Sequence, residues 1–437
     1  MLSGWGGQAV PGEERVGESL EALSRGAVLS RGLGRSYGDS SLPANPADVL
    51  VNTRLANRIL AFDEATGVLR AEAGLSLAEL NRVVMPRGFF PPVTPGTKYV
   101  TLGGAVASDV HGGNHHVAGC FGEHVRALRM RLADDRIVEC SPTVEPDLFW
   151  GTVGGMGLLG HILEVEFTLE RIAGPWLFVE SEPMPDIDTF IEGLDRVAGA
   201  WPMTKGWIDC LHRGRNLGRG LLIAGRWATA AEAGTRPPVE PRNKTLPIMM
   251  PNWAVNPLTA RIFNSFIYWN APRGKHQEIQ PPHMFFYPLD AVLHWNRVFG
   301  RRGFTQHQCV IPRAAGAPAV REFLRELLRL NPTISPVCVI KDCGPEGRGV
   351  LSFPMAGTSI AIDLAATPDI QKIIDRLNEV VIAAGGRIYM SKDRFTRAEH
   401  FAKMEPRLPR FAALRDQYDP HRRLRSAQSV RLLGDRA

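Results

Sequence analysis

Gln306 and Gln308, in the segment Thr305-Gln-His-Gln-Cys-Val-Ile-Pro312, are two residues apart. On a strand they share one face. Two amides on one wall of a pocket suit recognition of hydroxyl groups; a solvated strand face is the plainer alternative. A second kind of chemistry is suggested by RGLGRSYGDSSL, residues 31–42, where Gly32, Gly34 and Gly38 are interspersed with Arg31 and Arg35. Such a loop can aim backbone N–H groups at a pyrophosphate as a nest. The spacing Gly32-x-Gly34-x-x-x-Gly38, followed by Pro43 and Pro46, does not fit the dinucleotide fingerprint, which needs GxGxxG and then a helix. Alone, the loop leaves a bare turn and a phosphate cradle both open. Residues 94–124, TPGTKYVTLGGAVASDVHGGNHHVAGCFGEH, add Pro95-Gly96-Thr97, Gly103-Gly104 and a polar run from Asp109 through His111 to His116. With Gly154-Gly-Met-Gly157-Leu-Leu-Gly160, they suit a backbone pressed against a large, flat, phosphorylated ligand. His115 and His116 are expected to point apart in a strand, and no carboxylate or cysteine completes a metal site.

The elements that must position these residues are mixed. Val68–Ala73 and His161–Leu169 read as strands, the second alternating apolar and acidic residues. Ser76 and Glu79 form a capping box for a helix through Val84. Gly174-Pro175 marks a boundary. Beyond it, Thr245–Ala260 carries no charge and three prolines, and is expected to be irregular. It is either a packed connection or an apolar loop that touches lipid or covers a site. Ser359–Leu364 reads as a strand. Thr367 is the expected N-cap of a helix with Pro368 at its first position, and Ile370, Ile373, Ile374, Leu377 and Val381 follow at helical spacing. Gly385-Gly386 ends it, and Arg387–Met390 is the next expected strand, leading into Lys392. The fold class is α+β.

A chain of 437 residues suggests two or three domains. The net charge of +6 is mild for this length; it fits attraction to phosphates or an anionic surface. No nucleic-acid-binding pattern is present, so no nucleic-acid partner is expected. None of the six cysteines forms a CxxC pair, which suggests buried thiols in a reducing compartment. No leader-like apolar region or membrane-spanning run is evident. The expected location is cytoplasmic, with peripheral contact at the inner membrane face.

Together RGLGRSYGDSSL, TPGTKYVTLGGAVASDVHGGNHHVAGCFGEHV, FWGTVGGMGLLGHI and RIYMSKDRFTRAEHFAKMEPRL closely resemble the decaprenylphosphoryl-β-D-ribose 2-oxidases, flavoenzymes with the vanillyl-alcohol-oxidase-like (PCMH-type) FAD fold. The resemblance runs from about residue 25 to 430 and is looser from 175 to 300. It implies a two-subdomain FAD-binding domain, residues 1–173 with a C-terminal return at 387–437. It also implies a substrate domain of antiparallel sheet and helices, residues 174–386. The implied cofactor contacts are Arg31, Gly32, Leu33, Gly34, Arg35, Ser36, Tyr37, Gly38, Asp39, Gly96, Thr97, Thr101, Gly103, Gly104, Ser108, His111, Ile162 and Tyr389. Covalent members of the wider superfamily often carry histidine where Arg35 stands, so noncovalent FAD is expected.

By the same resemblance, a secondary ring hydroxyl is oxidised to a ketone, with hydride passing to the flavin. Lys392 matches the family's lysine at the flavin and substrate, and His111 and Tyr37 match positions beside the cofactor; which group takes the proton stays open. Gln306 and Gln308 match a pair of family glutamines, and Lys341 a pocket lysine suited to a substrate phosphate. Ala361 stands where the mycobacterial enzymes have a cysteine. The implied substrate is a lipid-linked sugar phosphate, polyprenyl-phosphoryl-β-D-ribose. The implied partner is a short-chain dehydrogenase/reductase that completes 2-epimerisation in arabinan and cell-wall synthesis. A soluble alditol or aldonolactone oxidase that makes hydrogen peroxide is the second reading, and a non-catalytic flavin-binding scaffold the third.

Overall fold

The computed structural model describes residues 1–239 and 242–436. Glu240, Pro241 and Ala437 fall within the expected second and third segments and lie outside the described residues.

The N-terminal half is built on two sheets. A parallel one pairs Glu13–Val16 and Leu29–Arg31 on either side of Val49–Asn52. An antiparallel one runs Ile137–Cys140, Val125–Arg131, His161–Thr168, Val68–Glu72, Ile59–Asp63. The wet face expected on His161–Thr168 is occupied by ion pairs: Glu164 meets Arg70 at 2.7 Å and Arg129 at 3.2 Å across the neighbouring strands. The helix Leu77–Val84 has the expected capping box, with Ser76 accepting from the Glu79 N–H.

The second half centres on an eight-stranded antiparallel sheet. Its order is His276–Gln280, Leu177–Met184, Gly220–Trp227, Met203–Ile208, Ile334–Cys343, Gly357–Ala365, Phe304–Pro312, Arg387–Ile388. The helices Ile187–Ala198, Gly316–Leu330 and Ile370–Ala383 pack on one face. That leaves the opposite face of the sheet to build a site. Phe304–Pro312 is almost wholly buried, because both of its faces are covered. Its period-two alternation sends His307 to the helices, where its Nε2 meets Asn378 Oδ1 at 3.0 Å. Gln306 and Gln308 therefore point the other way.

Four local expectations are corrected. The helix over Ile370–Ala383 is flanked by Asp369 rather than Thr367, because a turn closed by the Ile370 N–H on the Thr367 carbonyl comes first. The strand after it covers only Arg387–Ile388, and it completes the substrate-side sheet although it belongs to the segment expected to return to the first half. His115 and His116 open a short helix, His115–Ala118, instead of lying in a strand. They still diverge, being about 100° apart around its axis. Finally, the last residues of Thr245–Ala260 are helical: Pro257 sits in the first turn of Pro257–Asn270, where its missing N–H costs nothing, and Asn256 caps it.

Candidate active site

Between the two halves lies a cleft of about 240 Å³. One wall is the glycine loop. Gly32, Leu33, Gly34, Arg35, Ser36 and Tyr37 all line it, directly after the strand Leu29–Arg31. Among the described residues, no backbone N–H from Gly32 to Ser36 donates to a protein group. Gly34 takes φ +61°, the left-handed conformation that helps turn successive N–H groups inward. The two arginines part company. The Arg31 guanidinium is taken up by Glu14 at 2.9 Å and by the Ser3 and Ser41 carbonyls. Arg35 lies over the Trp5 and Tyr99 rings at 4.1 and 5.1 Å, and its buried Nε has no partner.

Facing this loop are Gly96, Thr97, Thr101, Gly104, Ser108 and His111. Thr101 caps Leu102–Ala107 by accepting from the Gly104 N–H, and a Cβ on Gly32 would run into its Oγ1. The two walls therefore meet where only glycine fits. Tyr389 reaches the same cleft and donates its phenol to the Ser108 carbonyl at 2.7 Å.

The far wall is the open face of the large sheet. Gln308 Nε2 donates to His111 Nε2 at 3.0 Å, which puts the imidazole proton on Nδ1, an atom with no protein partner. Burial, with Lys341, His115 and Lys392 nearby, holds His111 well below the usual histidine range, so it is neutral. Gln306 Nε2 donates to Asp363 Oδ1 at 2.6 Å. Burial pushes the Asp363 carboxyl up to about 7, against the pull of Gln306 and Lys392. Lys392 Nζ sits 4.0 Å from the centre of the Tyr37 ring. Desolvation brings this ammonium down to about 7; Asp363 opposes the shift and Lys341 adds to it. Lys341, also lowered by burial, lies one strand away from Ala361 and Ser359. Tyr37 is raised well above the ordinary phenol value, first by burial and then by Asp363, and stays protonated.

Four expected contacts sit off the cleft wall. Gly38 packs its Cα against the backbone of Asp393 and Arg394. Asp39 pairs with Arg431 at 2.7 Å, Gly103 abuts Ala73, and Ile162 is a core residue on His161–Thr168. The cleft also includes residues the sequence did not single out. Asp290 accepts from Thr97 Oγ1 at 2.7 Å and from the Lys98 N–H at 2.9 Å, fixing the Pro95–Thr97 turn. Trp5 and Trp295 pack edge to face at 5.9 Å beside Tyr37.

A nest of unpaired N–H groups, an unpartnered guanidinium Nε and glycine-only contacts fit a bound FAD. Residues 15–141 match the model of the FAD binding domain family. The chain is 32% identical over 416 residues to the decaprenylphosphoryl-beta-D-ribose oxidase of Mycolicibacterium smegmatis, covering 93% of this chain and 88% of that one. It is 22% identical to L-gulonolactone oxidase of Bos taurus over 86% of this chain and 84% of that one. A putative D-arabinono-1,4-lactone oxidase of Neurospora crassa is 30% identical over 157 residues, 34% of this chain and 28% of that one. Fold, cleft and relatives define an FAD-dependent oxidoreductase acting on CH–OH groups. Within that class, the chain belongs to the decaprenylphosphoryl-β-D-ribose oxidase family.

Proposed function

We propose that this enzyme oxidises the 2-hydroxyl of a polyprenyl-phosphoryl-β-D-ribose to the ketone, as the first half of a 2-epimerisation completed by a separate short-chain dehydrogenase/reductase. The observation that carries the reading is the convergence of Lys392, Tyr37, His111, Gln306, Gln308 and Lys341 on the same cleft as the loop of unpaired N–H groups. Bound FAD would supply the acceptor for two electrons and the carbinol hydrogen. Gln306 and Gln308 orient the sugar hydroxyls, each fixed by its own partner, Asp363 or His111. Lys341 meets the phosphate. Lys392, near 7, is half in its amine form at neutral pH and takes the hydroxyl proton. The ammonium so formed is held by the Tyr37 face and the Asp363 carboxylate. His111, neutral and donating from Nδ1, is suited to hydrogen-bond the substrate or cofactor rather than to take the proton.

The site of oxidation is tested by trapping the product with sodium borodeuteride and hydrolysing it. The reading expects ribose and arabinose with deuterium at C2; label at another carbon, or none, contradicts it. A peroxide assay with free aldonolactones and alditols checks the competing reading, and little peroxide is expected.

Arg35 offers no nucleophile for a flavin bond, so we infer noncovalent FAD. Acid precipitation is expected to release all of the yellow colour into the supernatant. Colour retained in the pellet contradicts this.

Ala361 faces the cleft beside its cross-strand partner Gln308. The six cysteines are all buried as free thiols. Iodoacetamide is therefore expected to leave the enzyme active, whereas Ala361→Cys is expected to keep turnover but become sensitive to the reagent. An inactivated wild type, or a resistant variant, contradicts the placement.

A further inference from the structure

The helix Pro257–Asn270 is packed inside out. The stripe it buries is Ala260 and Asn264, and Asn264 Nδ2 donates to Asp209 Oδ1 at 2.7 Å. Its outer stripe is Leu258, Ile262, Phe266 and Trp269, spaced to lie on one face. Phe266 is 64% and Trp269 73% exposed. The loop before it adds Ile248, Met249 and Trp253, the last also 73% exposed. An exposed apolar surface of this kind on a globular protein marks a partner rather than a solvated face.

We propose that this face docks on an anionic phospholipid bilayer. The proposal rests on the reading that the substrate is lipid-linked, and it names the surface through which that substrate is reached. Three observations select the occupant. From residue 242 to 277 the sequence contains no Asp or Glu, while Arg242, Lys244, Arg261 and Arg273 of the same segment are exposed. Exposed apolar side chains in a segment whose only charges are basic match an anionic headgroup surface over an acyl interior. Trp253 in the loop and Trp269 in the last turn of the helix are both exposed, the residue type favoured at the membrane–water boundary. The segment that carries the patch is also tied to the cleft. Val255 packs against Tyr37, Phe299 and Phe304, and Asn243 donates to the Tyr99 phenol at 3.0 Å, beneath Arg35. A second copy of this chain fits less well, because a two-fold contact would set the basic residues of this segment against one another.

The test is flotation of the holoenzyme with vesicles of phosphatidylglycerol and phosphatidylcholine, and with phosphatidylcholine alone. Wild type is expected to float with the anionic vesicles, less with the neutral ones, and less in high salt. The triple variant Ile262→Ser, Phe266→Ser, Trp269→Ser is expected to lose at least tenfold in partitioning. The double variant Arg261→Glu, Arg273→Glu is expected to lose only the preference for anionic lipid. Both should retain flavin, the wild-type melting temperature and the wild-type rate on a short-chain, water-soluble polyprenyl-phosphoryl ribose. Wild type that stays in solution, or a triple variant that floats equally well, overturns the proposal. So does a wild-type dimer that the triple variant dissolves, which would assign the face to a second copy. Vesicle binding as expected, with no turnover of the soluble analogue by any of the proteins, supports the docking surface and counts against the substrate reading alone.

Discussion

Replacing Lys392 by alanine is expected to lower kcat/KM by about 10³-fold, within the ~10²–10⁴ typical of a positioned acid–base group, while FAD stays bound. Lys392 is a half-buried lysine whose ammonium is poised near 7. Below that value it is charged and cannot accept the hydroxyl proton; above it the amine is free to do so. Wild-type kcat/KM is therefore expected to rise with pH through about 7 and then level off. Because Asp363 also titrates near 7, the inflection belongs to the pair. Removing that carboxylate in Asp363→Asn takes away the charge that raises the Lys392 value, so the inflection should move to lower pH. Lys392→Arg separates proton transfer from charge. Arginine keeps the cation but does not deprotonate, so it should be as inactive as alanine. An arginine variant with most of the wild-type rate would assign Lys392 an electrostatic role only.

The second large effect concerns the cofactor. Gly32→Val is expected to yield protein without flavin, with affinity for added FAD reduced at least about a hundredfold, the reach of about 2.7 kcal/mol of lost binding. The added carbons would meet Thr101 Oγ1, with Thr101 Cγ2 at 3.0 Å and Cβ at 3.2 Å. Moving Thr101 disturbs the cap it provides to Leu102–Ala107, so both walls of the cradle are displaced together. The overpacking also costs about 1–3 kcal/mol of stability. Added FAD should raise the melting temperature of wild type but not of the variant, whose circular dichroism should remain native-like. A variant that purifies yellow and is stabilised by FAD would show that the Gly32–Thr101 contact is not part of the cradle.

Where a few neighbouring residues decide the structure, the sequence could be read closely. The capping box at Ser76 and Glu79 is local, and so is the alternation that puts Gln306 and Gln308 on one face. The glycine loop alone left a bare turn and a phosphate cradle both open, since Gly32, Gly34 and Gly38 permit many backbones. What could not be read was set by distant contacts. Asp290 reaches the cleft because its carboxylate holds a turn nearly two hundred residues earlier in the chain. The Arg31 guanidinium is diverted to Glu14 and Ser3, partners supplied by the N-terminal strands. His115–Ala118 is helical through packing as well as local bonds: the Gly344 N–H donates to His115 Nδ1. The helix at Pro257 did carry its signal, an Asn cap followed by proline. Two prolines just before it, Pro247 and Pro251, disguised it.

The central claim is that a flavin in this cleft takes electrons from a lipid-linked ribose. The most direct measurement is the visible absorbance spectrum of the purified enzyme under anaerobic conditions, before and after addition of polyprenyl-phosphoryl ribose. Bleaching of the flavin band on addition of this lipid, and not of free alditols or aldonolactones, is the predicted result. A band that stays oxidised with the lipid but bleaches with the free sugars would contradict the account.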